Sequence, residues 1–137
     1  MKTWRMFLLL ILLIVLAACG GGNGGSAEEE YTIDEATGLP LNPETIPEGD
    51  FVVEGTIASM NLTPQSAPEF VLRIPSGRTY RVRAQALPDI LYNDGEAVGV
   101  ANFVQGMAVR ATISQVVGGP ETGNTRQFVT DDLVIVR

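Results

Sequence analysis

The sequence predicts an all-β fold for one small domain, which we place at residues 51–137. The segments between turns are short and rich in Val, Ile and Thr, the residues that favour strands. Glycine and proline separate these segments at short intervals. Two of the segments alternate between apolar and polar side chains, as a strand with one buried face does. The domain is long enough for one core and too short for two.

The first predicted strand covers residues 51–60, with Val53 and Ile57 on one face. Gly55 lies inside it, and a glycine at such a position is typical of a bulge or of a strand that bends. We therefore expect this strand to change direction near Gly55, before a loop over residues 61–68.

Residues 69–74 and 78–84 form the next two strands. Their alternation places one set of side chains inward, namely Phe70, Leu72, Ile74, Tyr80, Val82 and Ala84. It places another set outward, namely Val71, Arg73, Thr79, Arg81 and Arg83. The two strands are close enough in sequence to form a hairpin.

The turn of this hairpin is fixed by its register. A two-residue turn would set Leu72 opposite Arg81 and put a charge on the core face. A three-residue loop over residues 75–77 sets Leu72 opposite Tyr80 instead. It also gives Gly77 the left-handed position that such a loop requires. The sequence therefore predicts the three-residue loop.

The second half of the domain has a weaker pattern. Residues 87–92 favour one helical turn, and Asn93-Asp94-Gly95 is typical of a tight turn. Residues 107–116 form the fourth predicted strand. A loop rich in Gly and Pro follows, and residues 127–137 form the fifth strand.

Three meandering strands, an irregular connection and two strands joined by a long loop resemble the OB-fold, a five-stranded Greek-key barrel. More narrowly, the domain resembles the small OB-like domains of uncharacterised bacterial secreted proteins and lipoproteins. The matching pieces are Val53-Glu54-Gly55-Thr56-Ile57, Phe70-Val71-Leu72-Arg73, Gly77-Arg78-Thr79-Tyr80-Arg81-Val82 and Gly106-Met107-Ala108-Val109. The resemblance implies a five-stranded OB-like barrel, while an SH3-like barrel or a small sandwich also fits the strand pattern.

The start of the chain has the form of a secretory signal. Lys2 and Arg5 precede an uncharged apolar run from Met6 to Ala18. A membrane-spanning helix needs about 20 apolar residues, and this run reaches Cys19 before that. We therefore predict a signal peptide over residues 1–18.

Leu16-Ala17-Ala18-Cys19 resembles the lipobox of bacterial lipoproteins at all four positions. The resemblance implies cleavage between Ala18 and Cys19 and a thioether-linked diacylglycerol on Cys19. Two acyl chains are sufficient for stable anchoring. The domain would then be exported and held at the cell membrane. Gly20 stands where an Asp commonly retains lipoproteins at the inner membrane. The sequence therefore also fits a location at the outer membrane.

The segment between anchor and domain, residues 19–50, has no strand or helix period. It is rich in glycine, then acidic, then rich in proline, and residues 20–50 carry eight acids and no base. This composition is typical of a disordered linker. The whole chain carries a charge of −7, and loss of the two bases of the leader leaves −9 on the mature form. Such a charge disfavours generic binding to nucleic acid.

Composition also argues against catalysis. The chain has no histidine, and Cys19 is its one cysteine, which excludes disulfides, the usual zinc sites and histidine-based nucleophilic catalysis. Asn93-Asp94-Gly95-Glu96 lacks the second half of a Ca²⁺ loop. Asp131 and Asp132 are neighbours, so on a strand they point to opposite faces. We therefore expect no enzyme, no metal site and no cofactor.

The candidate ligand-binding residues lie on the outer face of the hairpin. They are Arg73, Thr79, Arg81 and Arg83. In OB-folds this face binds oligonucleotides and oligosaccharides. The competing interpretation is that these arginines pair with surface acids such as Glu69. Nucleic acid would also need aromatic side chains there, and Tyr80 points inward.

The sequence therefore predicts a lipid-anchored envelope lipoprotein that presents a small β-barrel for binding or scaffolding. An envelope protein or a polysaccharide is the expected partner, in addition to the membrane that holds the lipid on Cys19. A second interpretation is a binder of single-stranded nucleic acid or another anionic polymer through the arginine-bearing strands. The sequence does not identify the ligand.

Overall fold

The structure, a computed structural model, describes residues 31–137, the side chain of Thr122 aside. The predicted signal peptide, Cys19 and residues 20–30 lie outside the described residues. The fold is all-β, and the strands are β1 Phe51–Asn61, β2 Glu69–Arg73, β3 Thr79–Arg83, β4 Leu91–Tyr92, β5 Ala108–Val117, β6 Arg126–Val129 and β7 Val134–Val136. Short 3-10 turns cover Leu87–Asp89, Val100–Asn102 and Pro120–Thr122. Between residues 31 and 137, no helix has the length and apolar character needed to cross a membrane.

One mixed sheet contains all seven strands, in the order β1-β2-β3-β6-β5-β7-β4. β1 pairs with β5 as well as with β2, using its first half for β5 and its second half for β2. β3 and β6 are parallel, as are β4 and β7, and the other pairs are antiparallel. The inward side chains of these strands form the core, in which Phe51, Phe70, Tyr80 and Ile113 are almost fully buried.

The predicted hairpin is confirmed, including its register. Leu72 lies opposite Tyr80, and the N–H of Ile74 donates to the carbonyl of Arg78 at 3.0 Å. Residues 75–77 therefore form the loop. Gly77 has a φ of +92°, which is the left-handed conformation that the loop needs.

Gly55 lies where β1 leaves β5 and begins to pair with β2. The next residue, Thr56, is opposite Ala108 of β5 and also opposite Arg73 of β2. A Cβ at Gly55 would lie 2.1 Å from the carbonyl oxygen of Arg73. Glycine is thus required by close approach of two backbones, and the register shift of β1 lies farther along, between Ile57 and Ser59.

The prediction of five strands is wrong, because the expected last strand is divided. β6 and β7 both pair with β5, but their registers differ by one residue, so residues 130–133 face residues 111–113. Asp132 bridges this interruption. Its carboxylate accepts hydrogen bonds from the N–H of Thr112 at 2.7 Å and from the hydroxyl of Thr130 at 2.9 Å.

The second additional strand comes from the segment predicted as one helical turn, residues 87–92. The 3-10 turn Leu87–Asp89 is present, but Leu91 and Tyr92 extend and pair in parallel with β7. The helical turn ends early because Ile90 adopts extended backbone angles. Two residues of β4 then have a partner that local sequence does not reveal.

The predicted linker is wrong for residues 31–50, which pack on the sheet and extend the domain beyond its predicted start at residue 51. Leu41 forms a parallel bridge with Val52 of β1. The buried carboxylate of Asp34 lies 2.8 Å from the guanidinium of Arg110. Because the sheet satisfies these polar groups, the segment is ordered without any apolar period of its own.

Candidate functional site

The four candidate residues share the outer face of β2 and β3, as predicted. Arg73 lies opposite Thr79, and Glu69 lies opposite Arg83. All four candidates are exposed, while the alternate residues of β3 are buried. The alternation of the hairpin therefore determines which side chains reach solvent.

The structure separates these four residues into two pairs. Arg81 and Arg83 line a surface groove of about 340 Å³, which we call the arginine groove. Its other lining residues are Glu69, Arg126, Gln127 and Phe128. Arg73 and Thr79 belong to the turn end of the hairpin and do not line it.

The arginine groove lies along the junction of β3 and β6. Their parallel ladder comprises two residue pairs, Val82 with Phe128 and Arg83 with Val129. The preceding residues, among them Arg81 and Arg126, have no partner across this junction in the described ladder. The short pairing leaves the strand starts apart, and their side chains line the groove between them.

The charges in the groove are unequal. Arg81 forms an ion pair with Glu69, with Nη1 and Oε1 2.9 Å apart. The side chains are 71% and 37% exposed, so this pair contributes little to stability. Arg83 and Arg126 form no ion pair within residues 31–137. Three guanidinium groups thus stand against one carboxylate.

Phe128 supplies an aromatic ring that the sequence analysis missed. It contacts Phe51 and Tyr80 edge to face, with centroid distances of 5.9 and 5.7 Å. Tyr80 itself is 2% exposed, so its predicted inward orientation is confirmed. These contacts fix the ring of Phe128 while it remains half-buried at the groove.

Arg126, Gln127 and Phe128 were absent from the sequence-based candidates. They reach the groove through parallel pairing of β6 with β3, a contact between segments more than 40 residues apart. Local alternation contains no signal for such pairing. The charge of Arg126 close to an apolar ring was the one local feature that pointed to a surface role.

Two arginines outside the groove, Arg110 and Arg137, are neutralised by acids, whereas Arg73 and Arg78 form no ion pair within residues 31–137. Arg110 pairs with Asp34 and Glu54, and hydrogen bonds from Thr37 and Arg110 hold the pKa of Asp34 below its usual value. The hydrogen bonds to Asp34 and Glu54 raise the pKa of Arg110. This cluster joins β1 and β5 to the N-terminal segment, so its role is structural.

Arg137 forms a second neutralised cluster at the end of the chain. Its guanidinium pairs with Asp94 and Glu96 and lies 3.8 Å from the ring centroid of Tyr92. The N–H of Gly95 donates to the carbonyl of Tyr92 at 2.8 Å, which confirms the predicted turn. The two acids of Asn93-Asp94-Gly95-Glu96 are thus bound to an arginine.

Among the described residues, no group of three or more His, Cys, Asp or Glu side chains could hold a metal ion. Asp131 and Asp132 are both exposed, and Oδ1 of Asp132 accepts hydrogen bonds from Thr112 and Thr130. The arginine groove is therefore the cluster best arranged for a ligand.

The sequence matches no protein-family model and no curated protein.

Proposed function

We propose that this chain is a lipid-anchored lipoprotein of the bacterial cell envelope, and that its β-domain is a binding module. The observation that carries the proposal is the pair Arg83 and Arg126 in the arginine groove. Residues 31–137 contain thirteen acids and seven arginines, a net charge of −6. Despite this excess of acids, Arg83 and Arg126 have no ion-pair partner within residues 31–137, and both line the same groove. An external anionic group would pair with both.

The leader supports the proposed location at the cell envelope. Leu16-Ala17-Ala18-Cys19 matches the lipobox, and a diacylglycerol on Cys19 would hold the protein at a membrane surface. Residues 20–30 then separate the anchor from the domain. The domain would face the outside of the cell membrane, or lie at the outer membrane if the organism has one.

We further propose that the sheet forms an OB-like barrel of β1, β2, β3, β6 and β5, to which β4 and β7 are additions. The pairings that support it are β1 with β2 and with β5, β2 with β3, β3 with β6, and β6 with β5. The parallel pair β3–β6 and the antiparallel meander β1–β3 fit that topology. The arginine groove would then adjoin the usual OB ligand face.

Detergent partitioning of the protein expressed in a bacterial host tests the anchor. Wild type should enter the detergent phase and incorporate a labelled fatty acid, because the lipid is the proposed membrane attachment. Cys19→Ser should remain folded in the aqueous phase without label. Equal partitioning of the two proteins would overturn the lipoprotein assignment.

Cosedimentation with isolated bacterial cell walls tests binding, using the mature lipoprotein in micelles. The double variant Arg83→Gln/Arg126→Gln should lose at least tenfold in retention. Arg73→Gln/Arg78→Gln is the matched control, because it removes the same charge from two exposed arginines outside the groove. Equal loss in both variants, or no retention of wild type, would contradict the proposed binding module.

A second candidate function is binding of single-stranded nucleic acid or another anionic polymer. Three arginines beside Phe128 favour it, since bases stack on aromatic rings and backbones bind cations. The net charge of −6 opposes it. Titration with an oligothymidylate at two salt concentrations distinguishes the cases, because phosphate contacts give a steep loss of affinity with salt.

A further inference from the structure

We infer that the arginine groove binds a carboxylate-bearing saccharide, the chemistry of a uronic-acid unit in an envelope polysaccharide. This inference rests on the proposed function, because it requires that the groove is a ligand site. It goes further by assigning the ligand class from the mixture of groups in the groove.

The size of the groove suits a small ligand. The groove has a volume of about 340 Å³, which lies near the lower end of small-ligand sites, about 300–1,000 Å³. A compact unit such as one sugar fits this dimension. Polymer binding by nucleic-acid proteins uses a longer basic groove that follows several nucleotides, whereas the arginine groove contains three arginines and does not extend to Arg73 and Arg78 at the turn end of the hairpin.

The arginines of the groove suit a carboxylate on the ligand. Guanidinium groups match carboxylates with two parallel hydrogen bonds. Arg81 is already engaged by Glu69, whereas Arg83 and Arg126 are available within the described domain. Two available guanidiniums are sufficient for one carboxylate on the ligand.

Glu69 and Gln127 add hydrogen-bonding groups to the groove. Oε1 of Glu69 accepts from Arg81, and the second carboxylate oxygen has no protein donor among the described residues. Carboxylates accept hydrogen bonds, and amides both accept and donate. Sugar hydroxyls would satisfy both side chains. The phosphodiester of a nucleic-acid backbone has no proton to donate and would be repelled by the carboxylate of Glu69.

Phe128 is half-buried and lines the groove, so it adds apolar surface to it. The T-shaped contacts with Phe51 and Tyr80 hold its ring against the core. A sugar has an apolar C–H face that packs on such a ring. Guanidinium, carboxylate, amide and ring are therefore complementary to the acid, hydroxyl and C–H groups of one acidic sugar.

Isothermal titration of the mature lipoprotein in micelles tests this inference. The probes are trigalacturonate, the neutral trimer of galactose, inorganic phosphate and an oligothymidylate. Trigalacturonate should bind saturably, and the neutral trimer should bind at least tenfold more weakly. Arg83→Gln and Arg126→Gln should each weaken trigalacturonate binding at least tenfold, while Arg78→Gln should leave it unchanged.

Gln127→Ala tests the hydroxyl contacts separately. It should weaken the binding of trigalacturonate several-fold. The weak binding of phosphate should be unchanged, because phosphate does not need that amide. Unchanged melting temperatures show that each variant is folded. Phosphate binding as strong as trigalacturonate binding would overturn the saccharide assignment.

Other results separate this inference from the proposed function. If cell walls retain the wild type through Arg83 and Arg126 but trigalacturonate does not bind, the saccharide class is wrong and the binding module stands. Tight, salt-sensitive oligothymidylate binding would replace the saccharide with nucleic acid. If neither cell walls nor any probe binds, both proposals fail.

Discussion

The hydroxyl of Tyr80 on β3 donates a hydrogen bond to the backbone carbonyl of Pro43, which lies 37 residues earlier. Both residues are buried, and burial raises the pKa of the Tyr80 hydroxyl, so it remains a donor. The bond connects the aromatic cluster of the core to the segment 31–50. It explains part of why that acidic, proline-containing segment is ordered.

Replacing Tyr80 with Phe should destabilise the domain by about 1–1.5 kcal/mol, because the buried carbonyl of Pro43 would lose its donor. Urea unfolding measures the change. Tyr92→Phe is the control, since the Tyr92 hydroxyl has no hydrogen bond among the described residues, and it should be nearly neutral. Equal effects of the two substitutions would contradict the role of the Tyr80 bond.

Removal of residues 31–48 should destabilise the remaining domain. A chain beginning at Gly49 lacks both the acceptor for Tyr80 and the ion-pair partner Asp34 of Arg110. Loss of the buried Tyr80 hydrogen bond alone costs about 1 kcal/mol or more. Urea midpoints of chains beginning at Tyr31 and at Gly49 make the comparison. Coincident midpoints would mean that the segment packs without contributing stability.

Asp34 should make stability depend on pH in the acid range. Thr37 and Arg110 hold its pKa below the usual value of about 3.9, so folding favours the carboxylate. That stabilisation is complete above the usual pKa and is lost as the pH falls through the lowered one. Asp34→Asn should therefore be destabilising at neutral pH, and its difference from wild type should shrink below about pH 4.

Unfolding by urea at a series of pH values measures this difference. Glu35→Gln removes a neighbouring exposed carboxylate and serves as the control, with a small effect at every pH. A difference between Asp34→Asn and wild type that grows toward acid would contradict the assigned ion pair.

Gly77→Val should destabilise the hairpin through backbone strain alone. Gly77 has a φ of +92°, and a Cβ there would meet nothing within 4 Å. Left-handed backbone costs a residue with a side chain about 1–2 kcal/mol, and a β-branched one more. Ser76→Ala in the same loop should be nearly neutral by thermal unfolding. A neutral Gly77→Val would show that the loop relaxes.

Gly55→Ala should be more damaging than its size suggests. The added Cβ would lie 2.1 Å from the Arg73 carbonyl, so β1 and β2 would have to separate. Overpacking of this kind costs about 1–3 kcal/mol. Gly119→Ala is the control, with a φ of −66° and open space at the Cβ, and should be neutral or slightly stabilising. Similar effects at both glycines would contradict the close approach.

The hairpin of β2 and β3 shows how much structure the local sequence predicts. Its alternation, its loop length and the glycine at the turn constrain one another, and the predicted register is confirmed. The division of the last strand shows the limit. Asp132 replaces a ladder bond by binding Thr112, which is 20 residues away. Residues 127–137 by themselves have the pattern of one continuous strand.

Some residues of the candidate site could likewise be placed from local sequence, and others only from the tertiary structure. Alternation alone determined that Arg81 and Arg83 face solvent, because side chains on a strand point to opposite faces in turn. Only the tertiary structure brought Arg126, Gln127 and Phe128 beside them, since parallel pairing joins distant segments. It likewise decided that residues 31–50 fold, because the hydrogen-bond partners that order them belong to the sheet.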